Sequence, residues 1–165
     1  KRKIKIFFYN FPQLTGLEIP TEVIIKLHNK WPSRFSGIKD SSGNLTYCRS
    51  LKSTLPELQV FPSSETSLSE ASDSNFSGCI SATANQTGLL CKEIWQNTSK
   101  NQAEALRKIS HIRETITSQH LIPSIKYLLA KRTGKTSWEK LVPPFKTLSK
   151  NRKNVLDQLF KLELS

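Results

Sequence analysis

Methionine is absent from all 165 residues, and apolar residues begin at Ile4, so the chain as written has no initiator and enters an apolar run at once. It reads as the later part of something longer. Long apolar stretches are missing too: nothing approaches the ~20 residues that cross a bilayer. The apolar part of Lys1-Arg2-Lys3-Ile4-Lys5-Ile6-Phe7-Phe8 is too short for a signal peptide. A soluble, cytoplasmic protein with no membrane partner is the expectation. Cysteine is scarce: Cys48, Cys79 and Cys91 are odd in number and form no C-x-x-C pair. That argues against a disulfide framework or a zinc site and leaves small apolar fillers. His28, His111 and His120 are far apart without ligand spacing, so no metal is expected and surface or helix-face roles suffice. Acidic residues are few, 13 against 25 Lys and Arg, for a net charge of +12. The basic residues are scattered and not gathered in an aromatic-interleaved patch. Solvated helix faces account for them, and no nucleic-acid partner is expected.

What is present is a core: 36% of residues are hydrophobic, enough for one domain of ordinary size. Ile4 to Tyr9 is a β-rich run, Pro12 to Gly16 a turn, and Val23, Ile24, Leu27 and Trp31 mark one helical face. Phe35 to Lys39 reads as a second strand. Leu45, Cys48, Leu51, Lys52 and Leu55 follow at helical spacing, with Asn44 placed as the N-cap. Leu58 to Phe61 is a third strand, a polar helix covers Thr66 to Ser74, Gly78 to Ala82 is a fourth strand, and a helix over Gly88 to Gln96 closes the series. Four strand-helix units in a row predict a parallel sheet with right-handed crossovers. From there the pattern is purely helical. Ala105, Leu106, Ile109, Ile112 and Ile116 define one long amphipathic helix, Pro123 to Lys131 a second and Val155 to Leu162 a third. Pro143-Pro144 is a rigid, extended connector between the last two. No linker separates the regions, so residues 1–100 and 101–165 read as strand-bearing and helical parts of one domain. Trp31, Trp95 and Trp138 read as packing anchors.

In a parallel α/β sheet, functional side chains gather at the carboxyl ends of the strands. Tyr9 ends the first strand and Lys39 the second. Side chains alternate along a strand, so Gly37 shares the face of Lys39 and leaves space beside the amine, while Ile38 points toward the covering helices. In a partly apolar pocket, desolvation disfavours a charged lysine, and neutral amine attacks a carbonyl to form an imine. A phenol beside it relays protons. Spacing alone leaves the plainer alternative standing, a strand-end lysine whose amine snorkels to water.

Three segments add to this. Tyr9-Asn10-Phe11-Pro12-Gln13-Leu14-Thr15-Gly16, then Gly37-Ile38-Lys39-Asp40-Ser41-Ser42-Gly43, then Gly78-Cys79-Ile80-Ser81-Ala82-Thr83-Ala84-Asn85 resemble successive motifs of the dihydrodipicolinate synthase / N-acetylneuraminate lyase family of class I aldolases. Ile122-Pro123-Ser124-Ile125-Lys126 and Pro143-Pro144-Phe145 resemble that family's terminal helices. The resemblance implies that Lys39 forms the Schiff base with pyruvate or another 2-oxo acid and that Tyr9 shuttles protons. It likens Ser41 to a substrate-binding hydroxyl of the lyase branch and Ile80 to a residue whose main-chain carbonyl lines the site. Glu65 and Thr66 resemble contacts to the polyol tail of sugar-acid substrates, and Ser63 stands in the same loop where glycine is usual. It implies no cofactor, an aldehyde as second substrate, and a homo-oligomer, a tetramer in the family.

Other positions depart from the family. Leu14 stands where synthases making the lysine precursor carry an arginine that grips a carboxylate, which favours lyases and sugar-acid aldolases over 4-hydroxy-tetrahydrodipicolinate synthase. Asn75-Phe76 replaces a usual Gly-Ala, and Val142 a common arginine. The family fold is a (β/α)8 barrel of about 250 residues. By resemblance this chain supplies strands five to eight and the terminal helices, the carboxy-terminal half. The Gly-Thr-Thr type loop that binds the pyruvate carboxylate, and the second tyrosine of the relay, would belong to the other half. Two expectations follow: the catalytic-lysine half of a Schiff-base aldolase, active when paired with an amino-terminal half, or a truncated, non-catalytic remnant.

Overall fold

The computed structural model describes residues 4–98 and 100–164. Two compact units divide between Ser81 and Ala82, earlier than the change of pattern read at residue 100.

The first unit begins with β1 (Ile6–Asn10), a short helix α1 (Pro12–Thr15) and α2 (Thr21–Lys30). Gly16 ends α1 at φ +70°, its N–H bonded to the Pro12 carbonyl, so the expected turn is one helical turn with a left-handed glycine cap. Next come β2 (Phe35–Asp40), α3 (Leu45–Thr54), β3 (Gln59–Pro62), a 3₁₀ turn over Glu65–Ser67 and α4 (Leu68–Asp73). Asn44 caps α3 as expected, accepting from the Tyr47 N–H.

The three strands form a parallel sheet in the order β1-β2-β3. Their register sets two layers. Phe8, Ile38 and Val60 align and face the helices, where Ile38 and Val60 join Ile24, Cys48, Leu51 and Leu58, all fully buried. Each large aliphatic buried there contributes about 1.5–3 kcal/mol. Tyr9, Lys39 and Phe61 align on the opposite face.

The expected fourth strand is not formed as one. Residues 77–81 run beside β3 with two backbone bonds, Ser77 N to the Val60 carbonyl and Ile80 N to that of Pro62, each 2.9 Å. Gly78 at φ +129° interrupts the extended geometry between them, which prevents a continuous ladder. Asn75 takes φ +55°, a left-handed turn that asparagine tolerates, and Phe76 is buried in the core where a smaller residue is usual by resemblance.

The second unit is helical: α5 (Ala84–Trp95), α6 (Gln102–Ser118), α7 (Leu121–Thr133), a 3₁₀ turn over Thr136–Glu139, α8 (Lys150–Leu159) and a π turn over Phe160–Leu164. Its core joins Ile112 and Ile116 of α6, Ile125 and Leu128 of α7, and Leu156 and Leu159 of α8. The chain turns at residues 143–144, where the Phe145 N–H bonds to the Val142 carbonyl at 3.1 Å, so the connector is not a straight extended spacer; the Pro143-Pro144 bond is cis. The three tryptophans are each at least 40% exposed, so the expectation of packing anchors fails for all of them. Trp31 stands against Phe35 and Lys30 at the end of α2.

Candidate functional site

Tyr9 and Lys39 are one register pair, near the carboxyl ends of β1 and β2. Thirty residues apart in sequence, their side chains meet: Lys39 Nζ donates to the Tyr9 hydroxyl at 3.0 Å and lies 4.2 Å from the ring centroid. The amine is half-buried and the phenol half-exposed. The Lys39 hydrogen bond holds the Tyr9 pKa below the ordinary value of 10.0; burial opposes it, and a hydrogen bond from Ser41 and the Lys39 charge reinforce it. Lys39 and Tyr9 thus meet, with Ser41 beside Tyr9. A phenol with an accessible phenolate beside an amine can pass a proton in either direction.

The space beside the amine differs from the sequence expectation. A Cβ at position 37 would lie 2.2 Å from the Phe7 ring and 2.8 Å from the Gln59 carbonyl oxygen, so the room left by the absent side chain of Gly37 is taken up by Phe7. Phe7 in turn sits 6.1 Å from Phe61 across the same face. The wall next to Lys39 is therefore aromatic.

The remaining expected residues follow β3. Ser63 is half-buried, and Thr66 is exposed with its hydroxyl 2.6 Å from that of Ser64. Ile80 is exposed, its N–H bonded to the Pro62 carbonyl. Glu65 is fully buried and accepts a hydrogen bond from Ser81. In this structure its carboxylate is turned into the protein, away from the solvent-facing role implied for a substrate contact, because a buried carboxylate needs a donor and Ser81 supplies one. Leu14 projects into solvent, 76% exposed. His28 is buried on α2 with Nδ1 2.7 Å from the Phe35 carbonyl, a structural contact, and no group of metal-ligating side chains occurs among the described residues.

Sequence reasoning missed the layer behind the pair. Asn10 and Asp40, one step beyond Tyr9 and Lys39, are buried and bonded to each other, Asn10 Nδ2 to Asp40 Oδ1 at 2.7 Å. The signal was there: a polar residue follows each site residue at the matching register position. Burial pushes the Cys48 thiol up to about 12, helped by the charge of Asp40 and a hydrogen bond to it. Cys48 is fully buried among the apolar side chains of the core, the filler role expected of it.

These observations define a parallel α/β protein that sets an amine against a phenol at the carboxyl ends of adjacent strands. The chain belongs to the Dihydrodipicolinate synthetase family, whose model matches residues 3–163. It is 25% identical over 127 residues to a DapA-like lyase of Chloroflexus aurantiacus, covering 76% of this chain and 42% of that one. Its fold is similar to that of dihydrodipicolinate synthase from Agrobacterium tumefaciens, with a TM-score of 0.82 at 21% identity, over 98% of this chain and 55% of that one. It is also similar to N-acetylneuraminate lyase from Fusobacterium nucleatum complexed with pyruvate, with a TM-score of 0.80 at 22% identity, over 98% and 55%. The chain spans about half the length of the relatives it matches. No helix among the described residues is long and apolar enough to cross a membrane.

Proposed function

We propose that this chain is the carboxy-terminal, catalytic-lysine half of a Schiff-base aldolase or lyase acting on pyruvate or another 2-oxo acid, closest in kind to sugar-acid lyases. The 3.0 Å contact between Lys39 Nζ and the Tyr9 hydroxyl carries this reading. Neutral Lys39 attacks the carbonyl carbon, a proton from Tyr9 reaches the carbinolamine oxygen, and water leaves to give the imine. In the cleavage direction the Tyr9 phenolate takes the proton of the hydroxyl two carbons from the imine. The carbon–carbon bond breaks, an aldehyde departs, and the electron pair rests in an enamine until protonation and hydrolysis free pyruvate and Lys39. Ser41, in contact with Tyr9, offers a hydroxyl to the substrate. The carbonyl of Ile80, with Ser63, Glu65 and Thr66 beyond β3, would face the rest of it. Glu65 would have to leave Ser81 to do so. Leu14 offers no charge for a substrate carboxylate, which weighs against 4-hydroxy-tetrahydrodipicolinate synthase.

Residues 1–100 then supply barrel strands five to seven with their helices, with the segment 77–81 beside β3 in the place of the eighth, and 101–165 a helical extension of the same domain. The barrel is completed by an amino-terminal half on the same or another chain, within a cytoplasmic homo-oligomer. The exposure of Phe7 and Tyr9 on the Lys39 face favours a second reading for the chain alone, a non-catalytic remnant whose nucleophile has nothing to hold its substrate. Borohydride trapping with pyruvate, followed by mass spectrometry of the chain alone and mixed with the first half of the Chloroflexus relative, separates the two. An adduct on Lys39 is expected in the mixture. Its absence from both samples would sink the aldolase reading.

A further inference from the structure

β1 is a five-residue strand at the edge of the sheet, and its pairing with β2 shifts register between Ile6 and Phe7. Only the pairs from Phe7 to Asn10 run in one register. A further slip by one residue would carry Tyr9 to the opposite face, away from Lys39. So short a ladder needs a second constraint.

That constraint stands immediately behind the pair. Asn10 is fully buried and Asp40 is 2% exposed, on the face turned toward the helices. A buried carboxylate is costly unless its oxygens are hydrogen-bonded, and Asp40 is supplied from two segments. Asn10 Nδ2 reaches Oδ1 at 2.7 Å, and Ser42 Oγ reaches Oδ2 at 2.7 Å. Asn10 Oδ1 accepts the Ile19 N–H at 3.0 Å, and the Tyr47 hydroxyl donates to the Ile19 carbonyl at 2.7 Å. On the other side, Ser42 Oγ accepts the Asn44 N–H at 3.0 Å at the start of α3. The chain after β1, the chain after β2 and helix α3 are therefore tied to one carboxylate.

We propose that Asn10 and Asp40 are positioning residues: their buried hydrogen bond locks the register of the two strand ends and so holds the Tyr9 hydroxyl within reach of Lys39 Nζ. The proposal rests on the reading of Lys39 and Tyr9 as the working pair. It makes a reciprocal prediction, because the two side chains are nearly isosteric. Asn10→Asp sets two carboxylates together and breaks the bond. With Asp40→Asn added, the amide and carboxylate trade places, and every partner can be satisfied again.

The readout is Tyr9 itself. Of the three tyrosines, burial pushes Tyr47 and Tyr127 up, leaving Tyr9 as the one that titrates below 10. Phenolate absorbance of the full chain, with Tyr9→Phe as the blank, follows it without any activity. Asn10→Asp is expected to return Tyr9 toward 10 and to slow pyruvate trapping on Lys39 by on the order of 10²-fold. The double exchange is expected to restore both. A folded Asn10→Asp chain with unchanged titration overturns the proposal, and so does a folded double variant that restores nothing. Where Asn10→Asp does not fold, Ser42→Ala decides: it removes one donor from Asp40, and an unmoved Tyr9 titration there refutes the lock. A wild-type Tyr9 that titrates at 10 removes the contact and the proposal with it. A low Tyr9 value with no pyruvate adduct counts against the Schiff-base reading alone and leaves the lock decided by the titration.

Discussion

In the proposed reaction Lys39 and Tyr9 divide the chemistry, and substitutions should separate their roles. Lys39→Arg keeps the charge but replaces a nucleophile with a guanidinium that stays protonated, so trapping with pyruvate is expected to vanish. Tyr9→Phe keeps the ring and removes the proton carrier. Imine formation on Lys39 is expected to slow by about 10²–10⁴-fold in a stopped trapping assay, and a rate equal to wild type would remove Tyr9 from the mechanism. Gly37 is constrained from the other side. In Gly37→Ala the new methyl meets the Phe7 ring and the Gln59 carbonyl, so a loss of about 1–3 kcal/mol is expected in urea unfolding. Phe7→Ala should recover part of that loss by vacating the space.

At the scale of elements, the helical unit carries a pH-dependent joint between α7 and α8. Tyr127 donates to Asp157 Oδ1 at 2.7 Å, and Lys131 Nζ pairs with the same oxygen at 2.7 Å. For Asp157, burial works upward, but the Lys131 and Tyr127 hydrogen bonds outweigh it and leave the pKa below 3.8. Burial, with the Asp157 hydrogen bond and charge, pushes Tyr127 from 10.0 up to about 12. The signs are opposite. The lowered Asp157 value contributes stability above about pH 3.8 that is lost as pH falls through the folded value. The raised Tyr127 value contributes stability below pH 10 that is lost as pH rises toward 12. Melting temperatures of wild type and Asp157→Asn should therefore differ most between these limits and converge toward the acid end. A constant difference down through strong acid would refute the assignment. The effect should shrink with salt, since Asp157 and Lys131 are each about a third exposed.

For the whole molecule the β1 edge matters most. β1 has one hydrogen-bonded neighbour in the sheet, and Phe7 and Tyr9 beside it are 43% and 50% exposed. An unpaired edge with exposed aromatics invites pairing with another strand. Two copies of this chain also repel, each carrying a net charge of +12. Sedimentation velocity should show self-association that grows with ionic strength as screening removes the repulsion, and Phe7→Lys should weaken it. A wild-type chain that stays monomeric in high salt would show that this edge is closed some other way.

Much of this was legible in the sequence. Short β-rich apolar runs marked β1, β2 and β3, and the polar Asn44 before an apolar helical stripe marked the start of α3, because local composition and capping are properties of neighbouring residues. The motifs around Tyr9 and Lys39 singled out the two residues that the strand register sets side by side. Other features had no local signature. The fourth strand failed because Gly78 bends the chain where composition alone read β. Phe7 filling the space over Gly37, Glu65 turning inward to Ser81, and Asn10 meeting Asp40 all depend on which residues of distant segments fall opposite each other. The sequence by itself determined the order of the first three strands with their helices and the family, and it singled out Tyr9 and Lys39. Only the tertiary structure decided that they touch, because a hydrogen bond between residues 9 and 39 exists only once parallel register brings two strand ends level.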